Sequence, residues 1–420
     1  MRSIRSVFRQ TFLALRTRNF KLFFIGQTIS NTGNWLTNVA LTLLVLHITH
    51  SGFAVGILAA CSFGPMLLLT IWAGAKADRS NKRHLLFVTQ SLEMVESFAL
   101  GILAFMHQPP LAALYAVATF GGICLAFDNP LRRSFVAEMV PQSDVPNAVV
   151  LYSTVINVAR IIGPAIAGLL IVSVGYGWCF VVDGLSYVAV ITCLWMMRPE
   201  ELRHRAPKTR EKGEIRAGFR YVLAMPVLWI TFAMLAVIGS LAYNFGVTLP
   251  LLVTGSLHGT TKSYTFLSSV FGFGALTASL VVAHRSLVQM RHVIIGAIAL
   301  GTTMLVLSLA PSVAVAAPIF FVMGLSSILY MTATTTIVQV ETDPVMHGRV
   351  LAVQSVLLVG LSPIAGPGIG WLADQVGARA PILLGGIACL IAGALGYLVS
   401  RRSEHYDRTQ GATISGGRTR

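Results

Sequence analysis

Long apolar stretches separated by short polar interruptions recur from one end of the chain to the other. The apolar runs are roughly 20 residues or longer and show no period-two alternation, so they read as membrane-spanning helices rather than strands. In lipid every backbone polar group must be satisfied within the protein, and without barrel patterning only helices achieve this. The pattern predicts twelve spans, at 21–47, 53–75, 84–106, 111–138, 148–173, 177–198, 226–254, 261–283, 292–311, 315–340, 348–374 and 380–400. Gln108-Pro109-Pro110 and Ala310-Pro311-Ser312 are two of the breaks. The longest polar stretch, 199–216, contains Pro199 and Pro207 and parts six spans from six. The expected layout is an N-terminal segment 1–20, a bundle 21–198, a linker 199–225, a second bundle 226–400 and a basic tail 401–420. Within the linker, Ile215–Leu223 reads as an amphipathic helix lying on the membrane surface.

Composition agrees. Hydrophobic residues make up 55% of the 420 residues and charged residues 11%, with a mean hydropathy of +0.73. A soluble protein carries roughly twice that charge fraction. The net charge of +15 suggests nucleic acid until the cations are placed along the chain. Of the 31 Lys and Arg, 28 fall on one side of the twelve-span layout, leaving Arg160, Lys262 and Arg379. That asymmetry is the positive-inside pattern and puts both termini in the cytoplasm, with a lipid bilayer rather than nucleic acid as the partner. Residues 1–20 hold no apolar core and read as a cytoplasmic segment, not a cleavable leader. Cys61, Cys124, Cys179, Cys193 and Cys389 lie in apolar runs without ligand spacing, as free packing thiols.

The two halves repeat one another. At an offset of 206, Gly33, Asn38, Thr42 and Leu43 align with Gly239, Asn244, Thr248 and Leu249. Gly163-Pro164 aligns with Gly366-Pro367 at 203, and Gly175 with Gly377 at 202. The matches keep their order with a drift of a few residues, which favours duplication into two parallel six-helix bundles.

The charged stretch Gly74-Ala75-Lys76-Ala77-Asp78-Arg79-Ser80-Asn81-Lys82-Arg83 lies between two apolar runs. It resembles the loop joining the second and third helices of major facilitator superfamily transporters. The stretches Asp128-Asn129-Pro130-Leu131-Arg132-Arg133, Asn147-Ala148 and Arg160 through Gly168, with Ser30-Asn31-Thr32-Gly33-Asn34-Trp35, resemble the subfamily of enterobactin-type exporters and macrolide-efflux transporters. The resemblance covers nearly the whole chain. It implies the all-α major facilitator fold, two six-helix bundles related by a pseudo-two-fold axis, and transport by alternating access. It also implies a conformational switch at Gly74, Asp78, Arg79, Lys82 and Arg83 with Glu138. Asp78, with Lys82 and Glu138, is expected to latch the halves in the outward-open state; in related transporters the equivalent Asp faces the start of the eleventh span, here near Arg349. Gly163, Pro164 and Gly168 resemble the antiporter signature of drug exporters, with one glycine where two are usual. Asn34 occupies a position that is acidic in some relatives, and Asn does not titrate.

No Gly-x-x-x-x-Gly-Lys-Ser/Thr loop is present, so the chain carries no nucleotide-driven engine, and its ten histidines form no carboxylate or metal cluster. Neither enzyme chemistry, a cofactor nor a metal is expected. Intramembrane charges are the sharper signal, since each costs about 3 kcal/mol at a helix centre. Asp128 lies 10 residues from the inner end of its span and Arg160 12 residues from the inner end of its own. At ~1.5 Å per residue these are similar depths, so the two are predicted to pair and to couple transport to protons. Glu93 and Glu96 fall on the peripheral third span and read as structural, and Asp183 reads as interfacial. Pro164 denies a donor to the Arg160 carbonyl, and Pro130, Gly366 and Pro367 mark other helix irregularities. Candidate cavity groups are Gln27, Asn34, Asn38, Arg132, Asn157, Tyr243, Asn244, Tyr330, Gln339 and Gln354. The sequence therefore predicts a monomeric inner-membrane exporter, proton-coupled, for an amphipathic drug or siderophore-like molecule. An importer or lipid-moving protein of the same fold, and a non-transporting scaffold, stay open.

Overall fold

A computed structural model describes residues 12–78, 80–203, 214–282, 289–343 and 346–415; the side chains of 71, 75, 77, 78, 214–216, 352, 355, 358–360 and 401–415 lie outside that description. The first six spans are Arg18–Thr49, Gly52–Asp78, Lys82–Phe105, Leu111–Val136, Val145–Ser173 and Tyr176–Trp195. A short helix, Glu214–Ala224, occupies the predicted amphipathic segment. The seventh span is Pro226–Leu241 followed by Phe245–Leu251 and a π-helical turn, Leu252–Ser256. The eighth to twelfth are Thr261–Val282, Met290–Ser308, Val313–Glu341, His347–Val376 and Ala380–Ser415. The last runs past residue 400, so most of the predicted tail continues the helix.

Ten segments among the described residues are long and apolar enough to cross a membrane. The first and eleventh spans are not among them. The first carries polar groups along its length, Gln27, Asn31, Asn34, Thr37 and Asn38, while the eleventh includes residues 352, 355 and 358–360, whose side chains lie outside the description. The seventh span, predicted as one continuous helix, is broken at Ala242–Asn244. Pro250 cannot donate to the Gly246 carbonyl, and the helix widens beyond it.

Packing repeats between the halves. The first span packs on the fifth and sixth, and the seventh on the eleventh and twelfth. The second packs on the fourth and the third on the fourth and sixth, as the eighth packs on the tenth and the ninth on the tenth and twelfth. Two extensive interfaces join the halves, second span on eleventh and fifth on eighth, and the same pseudo-symmetry relates them. The backbone bears the same mark. Gly175 and Gly377 both have positive φ, +96° and +114°, in the connections after the fifth and eleventh spans. His50 and His258 take the left-handed conformation, φ 50° and 49°, after the first and seventh.

Alternating spans gather the connections at two ends. One end holds the Lys- and Arg-rich connections and is called the basic end. At the far end, Arg379 Nη2 donates to Ala310 O at 2.9 Å, and His47 lies 5.9 Å from Tyr176, ring to ring.

Candidate substrate cavity and charge cluster

Asp128 sits on the fourth span with Arg132 one turn away, on the same face of the helix. The structure pairs these two: Arg132 Nε meets Asp128 Oδ2, and Arg132 Nη2 meets Glu93 Oε2 at 3.1 Å. Thr89 Oγ1 and Gln90 Nε2 donate to Asp128 Oδ1 at 3.0 and 2.8 Å, and Gln90 Nε2 also reaches Glu93 Oε2 at 3.0 Å. Arg132 Nη1 completes the cluster by donating to Gln27 Oε1 at 3.0 Å. Asp128, Glu93, Arg132, Gln27, Thr89 and Gln90 are all buried. With both carboxylates ionised, this site carries one more negative charge than positive. Glu93 Oε1 accepts no hydrogen bond, so the unbalanced charge has an unsolvated oxygen.

This geometry corrects the predicted Asp128–Arg160 pair. Matched depth was insufficient, because a side chain's direction around its helix decides what it meets. Arg160 turns instead to the first span, its guanidinium carbon 5.1 Å from the centre of the Trp35 ring. Arg132, counted from sequence among the cytoplasmic cations, is buried within its span. Glu93 is part of the charge cluster, although the third span is peripheral, and Glu96 a turn later packs against Gly121 of the fourth span. Asp183 is not interfacial but buried, accepting from Thr37 Oγ1 and Ser97 Oγ at 2.8 Å each and Ser186 Oγ at 3.3 Å. Asp128, Glu93, Glu96 and Asp183 thus line one region of the first bundle. The Asp128–Arg132 spacing could have revealed the cluster from sequence; the hydroxyls around Asp183 come from three spans and leave no sequence period.

All buried charged side chains among the described residues, Lys82, Glu93, Asp128, Arg132, Glu138 and Asp183, belong to the first six spans and their connections. The second bundle buries neutral polar groups instead. Asn244 is buried and accepts from Ser362 Oγ at 2.7 Å; Gln354 Nε2 donates to Thr335 Oγ1 at 3.2 Å. Tyr243, at the break in the seventh span, donates to Ser327 O at 2.6 Å, with the buried Tyr330 ring 6.2 Å away. In the first bundle Asn34 Oδ1 accepts from Tyr187 OH at 3.2 Å, and Asn38 is exposed. Asn157 Nδ2 is held by Ser153 O at 3.0 Å. Gln339 lies exposed near the basic end, its carbonyl 2.6 Å from His347 Nε2. Gln27, Arg132 and Gln354 are therefore hydrogen-bonded within their own bundles and the Tyr330 ring is buried within its own, while Trp35, Asn38, Asn157 and Arg160 keep partial or full exposure.

The predicted switch residues divide. Lys82 pairs with Glu138 in a buried contact within the first bundle. Arg83 Nε and Nη2 donate to the carbonyls of Leu194 and Trp195 at 2.9 and 3.1 Å, capping the sixth span where its dipole is negative. Gly74 is buried in the last turns of the second span. The Asp78 side chain and all of Arg79 lie outside the described residues.

The halves meet tightly toward the far end. Asp374 accepts from Gly52 N at 2.6 Å, Phe53 N at 2.9 Å and Ser51 Oγ at 2.7 Å. A Cβ on Gly52 would come within 2.7 Å of Gly370 O, so only glycine permits this approach. On the symmetric interface Ser269 Oγ donates to Ile161 O at 3.1 Å, and a Cβ on Gly272 would stand 3.1 Å from the Arg160 carbonyl that Pro164 leaves without a donor. Pro130, Pro164 and Pro367 all sit inside continuous helices. Gly168 packs against Thr265 and Gly366 against Gly56 on these same two interfaces. Toward the basic end, Ser153 and Thr154 of the fifth span are exposed.

Comparison with known proteins agrees with this architecture. The family model described as transmembrane secretion effector matches residues 9–413. The staphyloferrin A transporter of Staphylococcus aureus is 27% identical over 62% of this chain and 66% of that protein. The multidrug efflux pump Tap of Mycolicibacterium fortuitum is 25% identical, over 91% and 96% of the two chains. The enterobactin exporter EntS of Escherichia coli K12 is 22% identical, over 93% and 94%. Among solved structures, the POT family transporter PepTSo superposes with a TM-score of 0.76 at 11% identity, covering 93% of this chain and 99% of that one. A bacterial homologue of the human lysosomal transporter Spinster, inward-facing and unoccupied, gives 0.71 at 16% identity, covering 91% and 97%.

Proposed function

Because the chain belongs to the transmembrane secretion effector family of major facilitator transporters, we propose that it exports an amphipathic small molecule by alternating access, driven by inward movement of protons. The observation that carries this reading is the pair of symmetric interfaces between bundles, one of them closed by Asp374 on Ser51, Gly52 and Phe53 at the far end. The charge asymmetry assigns the basic end to the cytoplasm of an inner-membrane protein, with both termini there. The far end is then periplasmic, and the conformation is inward-facing. Rocking one bundle against the other breaks the Asp374 contacts and opens the opposite side. The relatives' names, export of enterobactin and multidrug efflux among them, support a drug or siderophore-like cargo moving outward.

Proton coupling rests on the cluster of Asp128, Glu93 and Arg132. Two carboxylates share one guanidinium, so a single proton brings the buried site to charge balance. Arg132 holds Asp128 while Gln90 bridges both acids, so adding or removing that proton alters the bonds between the third and fourth spans. Inverted vesicles under an imposed pH gradient test both parts. The native protein concentrates a lipophilic dye inside them, and Asp128→Asn abolishes accumulation while retaining downhill exchange. An Asp128→Asn protein that still concentrates dye rules out this carboxylate as carrier. Dye movement in the reverse direction favours an importer.

A further inference from the structure

The two guanidiniums inside the first bundle are treated differently. Arg132 is met by two carboxylates and an amide. Among the described residues Arg160, midway along the fifth span, forms no ion pair, and its Nε is buried without a hydrogen-bond partner. Its neighbours can be followed span by span. The Arg160 guanidinium carbon lies over the Trp35 ring of the first span. The eighth span packs against the backbone of Arg160 and Ile161 through Gly272 and Ser269. From the seventh span the titratable group that faces it is Tyr243, whose proton is committed to Ser327 O. Hence among the described residues no carboxylate pairs with it.

A cation left inside a membrane protein without a counter-ion costs several kcal/mol and marks a functional position. Trp35 offsets part of this by cation–π attraction, but an aromatic ring brings no full negative charge to the N–H groups. The N–H edge still calls for a carboxylate or similar oxyanion, which a guanidinium binds in a two-pronged fashion. Across from it, the second bundle presents an aromatic wall: Tyr243 lies 5.2 Å from Phe245, which lies 5.3 Å from Phe271.

The geometry points to Arg160 and Trp35 as the docking site for an anionic aromatic substrate, its acid group on the Arg160 edge and its ring system against Tyr243, Phe245 and Phe271. This deepens the exporter reading and rests on it for the word substrate. Arg160 is then a binding residue rather than a partner of Asp128, and the cargo itself supplies the missing counter-ion.

Two dyes of one three-ring framework and opposite charge test the site: fluorescein, an anion, and tetramethylrosamine, a cation. Binding is read by fluorescence anisotropy on purified protein in nanodiscs of zwitterionic lipid. Fluorescein is expected to bind at least about tenfold tighter, and Arg160→Gln to remove about tenfold of that affinity while leaving tetramethylrosamine unweakened. Arg160→Lys retains part of the preference, and Trp35→Ala weakens fluorescein several-fold, so the site is tested even by variants that keep the charge. Arg160→Gln should melt no lower than the native protein, since it removes an uncompensated cation. Absence of fluorescein binding, a preference for the cationic dye, or unchanged fluorescein affinity in Arg160→Gln overturns the proposal. Selective fluorescein binding without gradient-driven movement of either dye would count against the exporter reading and leave the anion site standing. Export of tetramethylrosamine without any preference for fluorescein would do the reverse.

Discussion

The backbone N–H of Gly52 donates to Asp374 Oδ1 at 2.6 Å, so the first turn of the second span is capped by the last turn of the eleventh. A helix N-terminus carries partial positive charge and unpaired N–H groups, and here the carboxylate that satisfies them belongs to the other bundle. The bond therefore exists only while the far end is closed. Each of its three contacts contributes about 1 kcal/mol at this solvent-exposed position, so Asp374→Ala should shift the balance toward the open far end by about tenfold or more. Electron paramagnetic resonance distances between spin labels at positions 49 and 375 read that shift directly. An unchanged distance distribution would mean that Asp374 does not hold the closure.

Removing Arg132 should be costly and removing its excess partner should help. Arg132→Ala strands two buried carboxylates, with an expected loss of about 3–5 kcal/mol. Adding Glu93→Gln to that variant should recover part of the loss, because one stranded charge disappears. Thermal unfolding of the purified single and double variants checks it; a further drop in the double variant would show that Glu93 is not held by Arg132.

The loop between the second and third spans offers a contrast within one motif. Asp78→Asn is expected to slow transport strongly while leaving substrate affinity within a few fold, since it acts on the balance of states and not on the cavity. Arg83→Ala should cost about 1 kcal/mol of stability through loss of the sixth-span cap and leave transport rates within about twofold. Initial rates in vesicles and melting temperatures separate the two. Equal losses of transport would merge them into a single switch.

Topology is tested at residue 205, between the bundles. In a cysteine-free background Arg205→Cys should resist an impermeant thiol reagent applied to intact cells and react once the membrane is opened. Labelling from outside would invert the orientation and with it the assignment of the closed end to the periplasm.

Apolar length and punctuation placed the helices well, because a span's existence depends on a local property of the chain. The match of Gly175 with Gly377 was equally legible, and both turn out to need a backbone conformation that other residues adopt at a cost. What escaped was direction around the helix axis. Asp128 and Arg160 lie at similar depth yet face different neighbours, whereas Arg132 lies one turn from Asp128 and pairs with it. The environment of Asp183 depends on Thr37, Ser97 and Ser186, contributed by three separate spans and meeting only after packing. The break in the seventh span was hidden because the apolar run resumes at once beyond it, leaving only Asn244, Gly246 and Pro250 as local signs.

The confinement of buried charge to the first bundle has a bearing on descent. The two related halves now differ: among the described residues, one buries the ionisable groups and the other neutral hydrogen bonds and an aromatic wall. Substitutions at Phe245 or Phe271 can reshape what is carried without disturbing Asp128, Glu93 or Arg132. Under the proposed function, the aromatic side of the cargo site and the titratable cluster are thereby encoded on separate stretches of gene, open to change at different tempos.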